Sequence, residues 1–158
     1  MPAKHMIIEL VPAAVLGMLA VASPADAQAP PSEPAISRSA GDAALRWGAC
    51  PDFLPAGCAI AVLHGDPSQP NADVFFRLPA QSRIPLHSHT SAERMVLVAG
   101  ALEVTYQGQA STRLAPGDYA YGPAGRPHAG QCVSDVPCVL FIAFESAVDA
   151  VPTAAAGK

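Results

Sequence analysis

Short apolar segments separated by turn residues fill the middle of the chain. In Leu102–Tyr106 the apolar residues alternate with Glu103 and Thr105, which predicts a strand with one buried and one solvated face. No stretch has both the length and the period of an amphipathic helix. Seven segments of this kind, punctuated mostly by Gly, Pro and Asp, are residues 59–63, 74–78, 95–98, 102–106, 112–114, 119–121 and 139–144. This pattern predicts an all-β sandwich or barrel.

The N-terminal pattern is different and predicts a signal peptide. Lys4 precedes an apolar run over residues 10–22, and Ala25 and Ala27 form the small-x-small pattern that signal peptidase reads. A membrane anchor is the alternative, but it needs about 20 apolar residues to cross a bilayer. We therefore expect cleavage after Ala27, a periplasmic or secreted protein, and no membrane contact after cleavage.

The rest of the chain divides into three predicted parts. Residues 28–44 are rich in Pro, Ala and Ser and predict a flexible linker. Residues 45–150 contain the apolar segments and predict a single β-barrel domain. Residues 151–158 lack apolar periodicity and predict a disordered tail.

Composition narrows the class of protein. The chain has 158 residues, a formal charge of −4 and 51% hydrophobic residues, which excludes a disordered protein. It contains only two lysines, Lys4 and Lys158, so it lacks the basic patch that binds phosphate backbones. Nucleic acid is therefore not an expected partner.

Four cysteines lie inside the predicted domain. An even number of cysteines in an exported chain favours disulfides, and three pairings are possible. Proximity in sequence favours Cys50 with Cys58 and Cys132 with Cys138. Free buried thiols are the alternative; a zinc site is disfavoured because neither pair has a two-to-four-residue gap.

Three histidines and one glutamate concentrate near turns and strand ends. His87 and His89 are two residues apart, so on a strand they project from the same face, and His128 arrives from a distant segment. Glu93 opens the strand that follows them. Three nitrogens and one oxygen suit iron, manganese, zinc, nickel or copper better than magnesium or calcium. By the same parity, Arg83 and Pro85 are expected at the pocket entrance.

The spacing around these residues resembles two conserved motifs of the cupin superfamily. Residues His87 to Gly100 read H-x-H-x3-E-x6-G, and residues Gly117 to His128 read G-x5-P-x-G-x2-H. The resemblance covers about residues 74–144. It implies a single-domain jelly-roll β-barrel in which one divalent metal is bound by His87, His89, Glu93 and His128. Segments before it resemble small cupins loosely labelled quercetin-dioxygenase-like.

Two positions depart from the motifs. Gln81 stands where family members usually carry glycine, and Cys132 stands where they usually carry asparagine. Neither position is a usual metal ligand of the family, so the resemblance still implies a metal site. If the strand that contains them is regular, Cys132 shares a face with His128 and is an alternative ligand, although a disulfide with Cys138 is the simpler expectation.

Three functions are compatible with such a site. The first is a mononuclear metallo-oxidoreductase of the dioxygenase type acting on a small organic molecule, with Glu93 as ligand or base. The second is a metal-dependent isomerase or lyase, and the third is a non-catalytic barrel that binds a small ligand. The run at 95–98, apolar on both strand faces, and the resemblance to dimeric cupins also predict a homodimer.

Overall fold

Strands make up all the regular structure of residues 33–154, the part of the chain that this computed structural model describes. None of it is a helix long and apolar enough to cross a bilayer. The strands in chain order are β1 (Trp47–Ala49), β2 (Ala59–His64), β3 (Asp73–Leu78), β4 (Arg83–Ser88), β5 (Glu93–Ala99), β6 (Leu102–Tyr106), β7 (Thr112–Leu114), β8 (Tyr119–Gly122), β9 (His128–Cys132), β10 (Cys138–Phe144) and β11 (Val151–Pro152).

The strands form two antiparallel sheets. One sheet has six strands in the order β1-β2-β3-β10-β5-β8, and the other has five in the order β11-β4-β9-β6-β7. Neighbouring strands in each sheet are mostly distant in sequence, so the chain crosses repeatedly between the sheets. The expected all-β jelly-roll fold is confirmed.

The core lies between the two sheets and follows the alternation of the sequence. In β6 the side chains of Leu102, Val104 and Tyr106 are buried while Glu103 is exposed, as the pattern predicts. Met95 and Leu97 of β5 are buried in the same way. Most of the buried core side chains are aliphatic: Val74, Leu78, Met95, Leu97, Leu102, Val104, Leu114, Leu140 and Ile142.

A β-bulge interrupts the pairing of β4 with β9. Ile84 pairs with Gly130 and His87 pairs with His128, so three steps on β4 match two on β9. Pro85 lies within the bulge, where the strand needs no ladder hydrogen bond from this residue's N–H, which proline lacks. The bulge resets the side-chain alternation. Ile84 and His87 therefore both face the interior, and Arg83 and Pro85 are exposed, so the prediction that they share the face of His87 is wrong.

The C-terminal segment contributes a strand. Val151 and Pro152 pair with Ser88 and His87 in β4, and the Thr153 N–H donates to the Leu86 carbonyl at 3.0 Å. The predicted disorder of the tail is wrong for these residues. The free backbone groups of the β4 edge offer partners that need no apolar periodicity in the tail.

The N-terminal expectations meet the structure only in part. The predicted signal peptide, residues 1–27, lies outside the described residues, as do residues 28–32 of the predicted linker. The described remainder of that segment, residues 33–44, contains no strand. It contains two turns, closed by the Asp42 N–H donating to the Ser39 carbonyl at 3.0 Å and by the Leu45 N–H donating to the Asp42 carbonyl at 3.1 Å, and the Asp42 carboxylate also accepts the Ala44 N–H at 2.8 Å.

Both predicted disulfides are present. Cys50 pairs with Cys58 and Cys132 pairs with Cys138, each with Cα atoms 5.7 Å apart. The alternatives of free thiols and of Cys132 as a metal ligand are therefore excluded in this structure. Cys132, the residue in the motif asparagine position, is fully buried at the end of β9. Two disulfides are typical of proteins from oxidising compartments.

Candidate metal centre

Three histidine side chains meet inside the barrel. His87 lies near the end of β4, His89 follows that strand, and His128 is the first residue of β9. Their ligand nitrogens all lie within 4.8 Å of one another. The ring centroids of His87 and His128 are 4.2 Å apart, since the β4–β9 register places these two residues opposite each other. The three histidines predicted from the motifs are therefore brought together.

The protonation of this cluster follows from its hydrogen bonds. His87 Nδ1 lies 2.9 Å from the Pro85 carbonyl, His128 Nδ1 lies 3.2 Å from the Arg126 carbonyl, and His89 Nδ1 bonds the Asp149 carbonyl. A carbonyl only accepts, so each Nδ1 carries the hydrogen and each Nε2 keeps a lone pair. Three lone pairs that converge repel one another unless a cation lies between them. This donor set fits a divalent metal.

Burial keeps the imidazoles neutral. It lowers the pKa of His87 and His89, and it lowers the pKa of His128 to about 3, with the neighbouring His87 adding to the effect. Neutral imidazole is the form that binds metals. The cluster can therefore bind a metal at a pH well below the range in which an ordinary histidine loses its proton.

Glu93 completes the cluster. It is the first residue of β5 and is 1% exposed, with Oε1 3.2 Å from His128 Nε2 and Oε2 3.5 Å from His89 Nε2. Burial raises its pKa to about 8. Among the described residues nothing donates a hydrogen bond to Oε1. A cation at the same place would compensate this carboxylate and the imidazole lone pairs, whereas without a cation the raised pKa favours the neutral acid.

Gly122 makes room for this carboxylate. It pairs with Glu93 across β5 and β8, and a Cβ at this position would lie 2.6 Å from Glu93 Oε1. No residue other than glycine fits there without moving Glu93. The sequence contains a signal for it, because a glycine at the end of a strand often marks a close approach.

Asp149 is a site residue that sequence reasoning missed. Its carbonyl accepts the hydrogen of His89 Nδ1, and its carboxylate accepts the Thr90 N–H at 2.8 Å. These two bonds hold the imidazole of His89 and the start of the following turn. Asp149 lies beyond both motifs and in no periodic segment, so nothing in the sequence indicates this role.

Tyr106 lies behind the cluster. Its ring centroid is 5.2 Å from that of His128, which it faces across β6 and β9. Burial raises the pKa of its phenol, and the charge of Glu93 adds to the effect. In the described part of the chain its hydroxyl has no hydrogen-bond partner. Tyr106 is therefore a neutral group close to the metal ligands.

A cavity of about 290 Å³ opens onto the cluster. Its walls come from both sheets, from the loop closed by the Cys50–Cys58 disulfide and from the segment before β11. Leu54 of that loop and Val148 of that segment both line it. The arrangement is a cluster of potential metal ligands at one side of a partly open cavity large enough for a small molecule.

The family model that describes the cupin domain matches residues 74–144. The chain carries a cupin domain. The match contains both motifs and hence all four cluster residues. The cupin fold and the three-histidine cluster together indicate that this cupin binds a divalent metal.

One protein that is similar in sequence has a named activity. The chain is 31% identical over 104 residues to the dimethylsulfoniopropionate lyase DddQ of Ruegeria pomeroyi, covering 64% of this chain and 51% of the lyase. The chain thus spans about half the length of this curated relative.

Solved structures agree on the fold. The crystal structure of DddQ from R. pomeroyi superposes with a TM-score of 0.60 at 26% identity, covering 69% of this cupin and 61% of the lyase. The structure of KdgF from Halomonas sp. superposes with a TM-score of 0.52 at 20% identity, covering 63% and 86% of the two chains. At that identity the second likeness shows the fold alone.

Proposed function

We propose that this protein is a metal-dependent lyase that acts on a small organic molecule. The observation that carries the proposal is the convergence of three imidazole lone pairs and one buried carboxylate on the wall of a partly open cavity. The similarity to a dimethylsulfoniopropionate lyase favours a lyase over the dioxygenase alternative. The quercetin-dioxygenase-like label has no comparable support.

In this proposal His87, His89, Glu93 and His128 bind one divalent metal. The metal, which is iron, manganese, zinc, nickel or copper, supplies Lewis-acid polarisation of an oxygen of the bound substrate. The histidines hold their Nε2 atoms toward it through their bonds to backbone carbonyls. Glu93 also acts as the base: its carboxylate takes a proton from the substrate carbon, the C–H electron pair forms a carbon–carbon double bond, and the leaving group departs with the electron pair of its bond.

Oxygen dependence tests this reaction class. Protein reconstituted with each of the five metals is offered a panel of small organic acids, including dimethylsulfoniopropionate, with and without air, and products are followed by NMR. A lyase converts substrate equally in both conditions. Stoichiometric oxygen uptake would refute the proposal and favour a dioxygenase, and binding without turnover of any panel member would favour the non-catalytic barrel.

Glu93 is tested separately from the histidines. Glu93→Gln keeps the volume of the side chain and removes its charge, so both metal affinity and turnover should fall. Glu93→Asp keeps the charge but shortens the side chain, which withdraws the base from the substrate. We therefore expect this variant to retain a larger fraction of the parent protein's metal content than of its rate. If Glu93→Gln matches the parent protein in metal content and rate, Glu93 is neither ligand nor base.

We also propose that the chain is exported. The support is the small-x-small site at Ala25 and Ala27 together with the two disulfides, which persist in oxidising compartments. The mature protein should then begin at Gln28. Intact-mass measurement of periplasmic or secreted material tests this, and an unprocessed chain found in the cytoplasm would contradict it.

A homodimer is the third part of the proposal. The outer face of β5 and β8 carries apolar side chains, with Val98 39% exposed, Tyr119 58% exposed and Tyr121 48% exposed. β8 is also the edge of the six-stranded sheet. An apolar face beside a free edge is typical of a surface covered by a second copy. Light scattering at high concentration that gives a monomer mass would contradict this.

A further inference from the structure

The lining of the cavity indicates which molecules fit it. We propose that the cavity takes a small monoanionic acid whose body is uncharged and hydrocarbon-like, with the acid group at the metal. This inference rests on the metal site of the proposed function and names the class of molecule that the site selects.

The walls are apolar apart from the cluster. Among the described residues, the lining contains one polar side chain besides His87, His89, Glu93 and His128, that of Asp149. The Asp149 carboxylate already accepts the Thr90 N–H. Within residues 33–154 no lysine, arginine, asparagine, glutamine, serine or threonine lines this space. The wall residues include Leu54, Ile60, Val74, Phe76, Ile84, Met95, Val104, Leu140 and Phe144.

Such walls select against polyhydroxylated ligands. A hydroxyl that leaves water and meets no hydrogen-bond partner weakens binding by about tenfold or more. A sugar acid would place several hydroxyls against Phe76, Ile84 and Leu140. A hydrocarbon body instead gains affinity from the same contacts, at about fourfold for each buried methylene.

Charge fixes the head group. Three neutral imidazoles and the Glu93 carboxylate around a divalent metal leave one net positive charge at the metal, and the Asp149 carboxylate elsewhere in the lining is held by the Thr90 N–H. A single carboxylate on the ligand neutralises the charge at the metal, whereas a second acid group would be buried without a partner. No basic side chain elsewhere in the lining is present to receive that second group.

Volume limits the length of the body. The cavity of about 290 Å³ lies at the small end of the range of about 300–1,000 Å³ that is usual for small-molecule sites. Straight-chain acids of short to medium length suit such a space. Leu54 of the disulfide loop and Val148 of the segment before β11 are among the wall residues that a longer chain would contact.

Calorimetric titration tests the inference without requiring turnover. Metal-loaded protein is titrated with saturated straight-chain acids from propanoate to dodecanoate, and with gluconate. It is also titrated with one isosteric pair, 4,4-dimethylpentanoate and 3-(trimethylammonio)propanoate, which share shape and acid group and differ only in the charge of the body. We expect affinity to rise about fourfold per methylene until the cavity is full and then to fall. Gluconate should bind at least a hundredfold more weakly than hexanoate, and the neutral member of the pair should bind more tightly than the cationic member.

Variants at one wall position locate the binding. Ile84→Ala enlarges the cavity and should shift the optimum to longer acids, while Ile84→Phe should shift it to shorter ones. Val98→Ala, a truncation on the outer face of the barrel, is the matched control and should leave the optimum unchanged. Metal-free protein should keep the dependence on chain length while binding every acid more weakly.

Two results would overturn the inference: affinity that does not depend on chain length, or a preference for gluconate or for the cationic body. Either would leave the metal site standing, since metal content is measured independently. Conversely, if the protein turns over no substrate but its affinity for acids depends on chain length as expected, the proposed lyase activity is refuted and the proposed ligand class is not.

Discussion

Gly122→Ala is the sharpest test of how the barrel holds Glu93. The backbone at Gly122 has a conformation that alanine adopts freely, so the effect comes only from the added Cβ. That atom would lie 2.6 Å from Glu93 Oε1 and 2.8 Å from its Cγ, against 3.4 Å for ordinary contact. Glu93 is 1% exposed but lines the cavity, so its side chain has to shift toward that space.

The magnitude follows from these contacts. Forcing an extra methyl into a packed interior lowers the free energy of unfolding by about 1–3 kcal/mol. Replacing glycine also reduces the freedom of the unfolded chain, which raises the free energy of unfolding by about 0.4–1 kcal/mol. We therefore expect a net loss of about 1–2 kcal/mol, measured by denaturant unfolding of metal-free protein. Because Glu93 must rotate away from the histidines, metal affinity should also fall about 10–100-fold, measured by competition with a chelator.

Gly48→Ala is the matched control. Gly48 also lies in a strand, but a Cβ there would meet nothing closer than the Ile60 carbonyl at 3.8 Å. It should leave metal affinity unchanged and stabilise the protein by up to about 1 kcal/mol. A Gly122→Ala protein that unfolds at the same denaturant concentration as the Gly48→Ala protein and binds metal normally would refute the reasoning.

Three further predictions test the cluster and its surroundings. His87→Ala should remove most of the bound metal, while His64→Ala, outside the cluster, should not. Because burial lowers the pKa of the cluster histidines, protons compete weakly for their nitrogens. The parent protein should therefore hold its metal below pH ~6.5, and metal analysis across a pH series checks this. Truncation after Ala150 removes β11, which pairs with His87, and should lower both the melting temperature and, by about tenfold, the metal affinity. Gln81 has a φ of 58°, and its side chain donates to the Val133 carbonyl and the Asp135 carboxylate. Gln81→Ala should therefore lower the free energy of unfolding by about 1 kcal/mol, whereas Gln81→Gly, which relieves the left-handed backbone, should be nearly neutral. Equal losses of the two variants in denaturant unfolding would contradict this.

Much of the fold could be predicted because the apolar pattern and the turn residues agree. Strands β6 and β7 begin and end at the predicted residues, since Gly, Pro and Asp flank them. The proximity of the four cluster residues could be predicted because their residue types and spacing are visible in the sequence, and the structure brings the side chains together. The left-handed φ of 58° at Gln81 fits the glycine that the cupin motif implies at this position.

The parts that could not be predicted depend on backbone pairing rather than on side-chain pattern. The bulge at Pro85 changes which face Arg83 presents, and only the paired strand reveals it. Asp149 acts through its carbonyl, which every residue has, so no residue type indicates it. β11 forms for the same reason: an open edge accepts almost any extended segment of the right length.

Part of the cavity wall comes from segments outside the part of the chain that contains the proposed metal ligands. All four cluster residues fall within the family match at 74–144, whereas Leu54, Val148 and Asp149 fall outside it. Mutation can therefore reshape the far walls over evolutionary time while the metal ligands stay fixed, so specificity can diverge without any loss of the chemistry. Two cupins with the same motifs need not share a substrate, and the loop before β2 and the segment before β11 are where laboratory evolution of a new specificity should begin.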